Sequence, residues 1–426
     1  MRRIPAAIIT LLAVALTAGA LSPTSAAGIP RAASGPGTLD RSFSKDGLRT
    51  DFPDGGAGEA LVIDGHDRIV VAGQRHGPGR DVVLARILRG GKLDPTFGKH
   101  GRVRLNLGGT DEVADIAIAE KGKIVVVGRS RRGTQSKIVV AMLGSKGALA
   151  KRFGSKGKVT LRLGKYQDAG GVAVDGRGRI IVGGTASNGR TSRWVIARLL
   201  ASGKLDKGFA TAGVRRLTPS SSSAHLHDLV LAGTKILVGG YAESALIPRF
   251  AVARLGGNGK LDKSFGKDGI RLAQVGTGAC IAKGIATAPG GKVLLVGEAV
   301  HGSASRWAIA RFGPAGRLDK RFGRRGTVLV RMGPTYGTAN SVAAQGNRIV
   351  VGGSAGREAG SRPAVIRLKP KGGMQGAFGK RGRAIIAAGG PGSAAAISIG
   401  AKGKIVLTGR VSLTGGSRLL TARLRG

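Results

Sequence analysis

From Gly91 to Gly147 the chain alternates between short apolar runs and polar turns that carry glycine. Val103-Arg104-Leu105-Asn106-Leu107 has a period of two, which predicts a half-exposed strand, A. Val113 to Ala119 alternates again and predicts strand B, followed by a hairpin turn at Lys121-Gly122-Lys123. Ile124-Val125-Val126-Val127-Gly128 is an unbroken β-branched run, as expected of a strand C buried on both faces. A polar loop from Arg129 to Ser136 leads to strand D, Ile138 to Leu143. Four short antiparallel strands per unit is the make-up of a propeller blade.

The unit recurs. Phe43, Phe97, Phe153, Phe209, Phe265, Phe322 and Phe378 are separated by 54, 56, 56, 56, 57 and 56 residues. Each stands in a diverged copy of Gly-x-Leu-Asp-x-x-Phe-Gly-x-x-Gly, and a period of this size marks a closed or stacked β array. Strand C closes on Gly73, Gly128, Gly184, Gly240, Gly297, Gly353 and Gly409. A second glycine follows the Phe motif at Gly47, Gly101, Gly157, Gly213, Gly269, Gly326 and Gly382. Both sets predict backbone with positive φ or a close approach. Seven phenylalanines at one slot predict a packing plug between neighbouring units.

Strand A carries Arg and Thr at alternate positions, which suits an outer edge. Each blade is therefore expected to be B, C, D and the A strand of the next repeat, the last blade borrowing residues 47–53 from the N-terminal side. The terminal repeats are ordinary, whereas an open β-solenoid, the alternative, would carry atypical caps. The prediction is all-β, a seven-bladed β-propeller over residues 37–426.

Strand D ends in Ala-Arg-Leu or a variant, and the Asp of the Leu-Asp motif follows eight residues later. The pairs are Arg86–Asp94, Arg198–Asp206, Arg254–Asp262 and Arg311–Asp319. Where Arg becomes Met142, Asp becomes Ala150; Arg367 faces Gln375. Ring closure predicts a salt bridge between Arg423 and Asp40.

The Leu-Asp-x-x-Phe stretch, then Gly-Lys-Ile-Val-Val-Val-Gly, then Val-Ala-Arg-Leu, resembles the delta-60 repeat family of bacterial extracellular proteins over roughly residues 37–426. Ser44 and Ala210 depart from its glycine, and Ala150 and Gln375 from its aspartate. The resemblance implies a propeller-like secreted protein and lends no catalytic residues.

Arg2 and Arg3, the apolar run from Ile4 to Leu21 and the small residues Ser25-Ala26-Ala27 predict a cleaved secretory signal over residues 1–27, with a linker over 28–36. No second apolar run approaches a membrane-spanning length. Removing Arg2 and Arg3 takes the formal charge from +46 to +44, a field that attracts polyanions. Cys280 is the only cysteine, so no intramolecular disulfide forms, and its apolar surroundings predict a buried core residue. A monomer is expected.

No residue set declares a reaction, and no cofactor is expected. Gly352-Gly353-Ser354-Ala355-Gly356 matches a nucleophile elbow, but it lies on a predicted strand C and no histidine follows it. His225 and His227 alternate at the start of a strand B and could face one side, without an evident third metal ligand. Asp81, Glu112, His225, His227 and Glu298 break the repeat.

The basic residues are better organised. The position leading into strand C is Arg68, Lys123, Arg179, Lys235, Lys292, Arg348 or Lys404, and the position leading into strand D is Lys137, Arg193, Arg249, Arg306, Arg362 or Arg418, with Asp81 in the first repeat. Antiparallel C and D strands place these sets at opposite ends of the blades, predicting a basic ring near each face. The leading expectation is a secreted, non-enzymatic binding or scaffold propeller for anionic cell-envelope polymers. Scarce aromatics, 4% of residues, argue against nucleic acid, which needs stacking platforms. The alternatives are a hydrolase or lyase at the tunnel mouth and a purely structural surface protein. Titratable residues from several blades converging at one mouth would mark the enzyme.

Overall fold

Seven four-stranded antiparallel sheets succeed one another along the chain, and among the described residues no α-helix stands between them. The computed structural model describes residues 34–51, 56–75, 79–220, 222–357 and 360–426. The signal over residues 1–27 and most of the 28–36 linker lie outside the described residues. Residues 35–426 form one compact unit.

Each sheet has the order B, C, D, then A of the next repeat, as in Ala57–Ile63, Ile69–Gln74, Val82–Ile87 and Arg102–Leu105. The B strands pack against one another around the axis, including the first against the last. The chain therefore closes as a seven-bladed propeller and not as an open solenoid. The seventh blade takes its outer strand from Leu48–Asp51, which pairs with Gly416–Leu424 in the register Leu48↔Ala422 to Asp51↔Leu419. We call the end where strands B and D begin the front face, and the end with the B–C hairpins and the Phe motifs the back.

The polar loop expected from Arg129 to Ser136 is only a tight turn. Strand C runs Ile124–Arg132 and strand D Gln135–Leu143, with Arg129↔Ile138 to Arg132↔Gln135 in register. Polar side chains there mark solvent-facing slots and do not end the backbone ladder.

All seven motif phenylalanines are buried, and Phe97 packs among residues of the first and second blades. Six carry an arginine of strand D over the ring, at 4.4 Å for Arg311 on Phe322 and 4.9 Å for Arg423 on Phe43. In five of the six, all but Arg367, the arginine also donates Nε to the Leu-Asp carboxylate, at 2.8 Å for Arg86–Asp94 and Arg198–Asp206 and 3.0 Å for Arg254–Asp262 and Arg311–Asp319. Its Nη1 reaches a carbonyl of the next repeat, as from Arg254 to Pro314 at 2.5 Å. One side chain thus caps the plug, pins the D–A connection and ties adjacent blades.

The two glycine sets answer to different constraints. Gly47, Gly101, Gly157, Gly213, Gly269, Gly326 and Gly382 all have φ between +85° and +98°. The glycines closing strand C have ordinary φ, but a Cβ at Gly297 would lie 1.9 Å from the Ile281 carbonyl oxygen. Cys280 is buried, and burial pushes its thiol pKa up. Gly353 and Ser354 lie within the strand Arg348–Gly356, which has no elbow turn.

Candidate functional site at the channel mouth

Every strand B carries a register shift opposite the glycine that closes strand C, as between Gly58 and Ala60 or between Leu226 and Asp228. A β-bulge re-aims a side chain. Here it presents Glu59, Ala114, Gly170, His227, Lys283, Asn340 and Ala395 to a cavity of about 440 Å³ on the propeller axis. Seven repeats thus supply one ring of seven residues, in which only alanine occurs twice.

Two positions before the bulge stand Glu112, Asp168, His225 and Thr338, paired across the ladder with Arg129, Thr185, Tyr241 and Ser354. Arg129 donates Nη2 to Glu112 at 2.5 Å and Nη1 to Asp168 of the next blade. His225 and His227 both stack on Tyr241, with ring centroids 5.0 and 5.8 Å away. Lys283 Nζ lies 3.4 Å from Glu298, which also accepts a hydrogen bond from Thr338 at 2.5 Å. Residues from at least five blades therefore meet at the front of the channel.

The B strands of all seven blades surround the channel, and its titratable groups are shifted by that enclosure. Burial, then the charge of Lys283, lowers His227 to about 4, so its imidazole is neutral at pH 7. Burial raises Glu59 to about 7 against the pull of Arg410. One residue deeper, Asp115 and Asp228 each accept a backbone N–H from the next blade, from Val172 at 2.9 Å and Ile285 at 3.0 Å. Burial outweighs those bonds and raises both carboxyls above the usual carboxylate range, and the charge of Asp115 raises Asp228 further. Among the described residues, no three of His, Cys, Asp and Glu are placed to hold a metal ion.

Of the repeat-breaking residues, Glu112, His225, His227 and Glu298 come together here. Asp81 does not: it accepts from Arg104 and from Asn106 Nδ2 at 3.0 Å, on the outer strand of its blade. Strand D is third from the axis, so a residue at its start stands away from the mouth. Glu59, Asp168, Lys283, Arg129, Asp115 and Asp228 were not singled out from the sequence. The available signal was the column at the bulge, where no two polar residues repeat.

The two basic sets differ in their partners. On the back face, Arg68 pairs with Asp64 at 2.7 Å and Asp94 at 3.7 Å, and Arg179 with Asp175 at 2.8 Å and Asp206 at 3.9 Å. Lys235, Lys292 and Lys404 reach Asp262, Asp319 and Asp40 at 2.9, 3.7 and 2.5 Å. The ring expected there is thus largely neutralised within the blades, because each Leu-Asp carboxylate is shared by two cations. Lys123 and Arg348 belong to the repeats without the aspartate. On the front face, Lys137, Arg193, Arg249, Arg306, Arg362 and Arg418 have no ion pair among the described residues, and the Nε atoms of Arg249, Arg306 and Arg418 are buried without a hydrogen-bond partner.

Residues 67–97, 178–209, 235–265 and 289–322 match a family described as a domain of unknown function, DUF5122, beta-propeller. Each stretch runs from the B–C hairpin through strands C and D to the Phe motif, so this is a propeller-repeat protein. No curated protein matches the chain. Among solved structures, a catalytically inactive virginiamycin B lyase from Staphylococcus aureus with quinupristin is similar over 88% of this chain and 98% of its own, at 14% identity and a TM-score of 0.51. Polysaccharide lyase Uly1 is similar over 87% and 90%, at 12% identity and a TM-score of 0.51. These likenesses concern the fold. No helix among the described residues is long and apolar enough to cross a membrane.

Proposed function

We propose that this chain is a secreted propeller of the delta-60 repeat type that holds an anionic cell-envelope polymer across its front face. The observation that carries the reading is the asymmetry of its cations. Among the described residues, six cations leading into strand D stand without ion pairs at the front, while five of their seven counterparts at the back share aspartates. Unpaired cations spaced around a ring attract a chain of regularly spaced anions, and the interaction weakens as salt screens it.

A second reading, acid–base cleavage of that polymer, is favoured by the mouth. Neutral His227 is a proton acceptor, Glu59 is a proton donor near pH 7, and Lys283 and Arg410 offer positive charge to a substrate carboxylate. Two of the solved structures of similar fold are named as lyases, one of them of a polysaccharide.

The test is equilibrium binding of the purified chain to polygalacturonate, a teichoic-type polyphosphate, DNA and neutral dextran across a salt series, with absorbance at 232 nm followed in parallel. Salt-sensitive binding to the acidic polysaccharide or polyphosphate over dextran supports the front-face reading. A rise at 232 nm adds the lyase reading, because elimination beside a uronate creates a conjugated double bond. Equal binding to dextran, or none to any polyanion, overturns both.

A further inference from the structure

On the back face, between the fifth and sixth blades, lies a cleft of about 570 Å³. Leu318 and Ile349 give it an apolar floor, and Arg317, Lys320, Arg321 and Lys371 stand around it with Arg348. Its one lining acid among the described residues, Asp319, is already held by Arg311 at 2.9 Å and Lys292 at 3.7 Å. The cleft is therefore strongly cationic without an internal counter-charge.

The sixth blade also lacks an anion that its neighbours possess. In five repeats a Leu-Asp carboxylate sits between the strand-D arginine and the cation leading into strand C. In the sixth, Gln375 replaces the aspartate while both cations, Arg367 and Arg348, are kept. Arg367 is 1% exposed and stacks on Phe378 at 4.6 Å. Its Nη1 reaches only the amide oxygen of Gln345, at 3.3 Å, and its Nε and the Gln375 Oε1 are buried without partners. The second repeat, which also lost its aspartate, lost the arginine with it, as Met142 and Ala150, so no buried charge is stranded there and only the exposed Lys123 is left without that partner. Arg367 and Gln375 do not line the cleft, but Arg348 does, and there it lacks the carboxylate that its counterparts in five repeats share.

We infer that this cleft binds a small polyanion, a molecule with two or more phosphate, sulfate or carboxylate groups, one of which supplies Arg348 with the negative charge missing at Gln375. The volume suits a single small ligand and not a crossing polymer. The site is independent of the front-face reading.

The experiment is calorimetric titration of the purified chain with inorganic pyrophosphate and tripolyphosphate at low salt. One saturable site per chain is expected. Lys320→Ala with Arg321→Ala should weaken it at least tenfold. Lys151→Ala with Arg152→Ala, which removes the same charges from the matching turn of an earlier repeat, should change it less than twofold. Gln375→Asp, which restores the internal carboxylate, should also weaken it at least tenfold while the chain stays folded. No saturable binding, equal loss in the two charge-pair variants, or unchanged affinity in Gln375→Asp would overturn the inference.

Discussion

Arg423 Nε donates to Asp40 Oδ2 at 2.8 Å across 383 residues of chain, and both side chains are buried. Lys404 Nζ reaches the same carboxylate at 2.5 Å, and Arg423 Nη1 goes on to the Arg89 carbonyl at 2.5 Å. This is the clasp that other repeats make locally, here joining the two ends of the domain. Removing one partner of a buried pair strands the other, which costs about 3–5 kcal/mol. Arg423→Ala should therefore lower the urea midpoint by far more than Lys404→Ala, whose more exposed side chain is worth no more than about 1 kcal/mol. Equal small losses would mean that the clasp does not hold the ring shut.

The glycine closing strand C and a turn glycine should respond differently to a methyl group. At Gly297 the new Cβ would meet a backbone oxygen at 1.9 Å, so the strand pair itself must move. Overpacking typically costs about 1–3 kcal/mol, and Gly297→Ala should reach or exceed the top of that range. At Gly290, φ is +77° with nothing within 4 Å, so Gly290→Ala should cost only the about 1–2 kcal/mol of a left-handed residue. Chemical denaturation of both variants decides it.

Stability should depend on pH through two opposed groups of carboxyls. Burial opposes ionisation of Asp40, but Lys404, Ser42 and Arg423 outweigh it and hold the carboxyl well below its usual range. Its folded pKa is depressed, so its contribution is present above about pH 4 and lost as pH falls. The Tm loss in Asp40→Asn should accordingly shrink in acid. Glu59, raised by burial to about 7, has the opposite sign. Its contribution is present below about pH 4 and lost as pH rises through 7. Glu59→Gln should therefore gain Tm relative to the parent as pH climbs from 4 to 8. Melting curves from about pH 2 to about pH 8 check both signs, the acid half for Asp40 and the upper half for Glu59, and a Glu59→Gln gain that shrinks as pH rises would contradict the burial argument.

Much of this architecture was legible because it repeats. A phenylalanine every 56 residues or so, with its arginine eight residues before the Asp, encodes both the blade and its clasp. The closing pair Arg423–Asp40 followed from continuing that rule around the ring. The mouth was less legible because it is made of what does not repeat. Glu59, His227 and Lys283 share a ring through a bulge imposed by the facing glycine, and a period-two reading of strand B does not register the extra residue. The ion pairs of the basic residues leading into strand C were hidden from the sequence for another reason. Lys235 and Asp262 are 27 residues apart, and only folding brings the D–A connection back over the start of strand C. Nothing in the local pattern around Lys235 shows that its charge is already used.

The front-face reading is tested most directly by removing equal charge from opposite faces. One variant carries Arg249→Ala, Arg306→Ala and Arg418→Ala; its counterpart carries Lys123→Ala, Lys235→Ala and Lys292→Ala. Each loses three positive charges, and affinity for the anionic polymer that binds the parent is measured over the same salt series. The account predicts a loss of tenfold or more and a shallower salt dependence in the front variant, with little change in the back variant. Equal losses in both would show that only total charge matters, and would contradict the assignment of function to the front face.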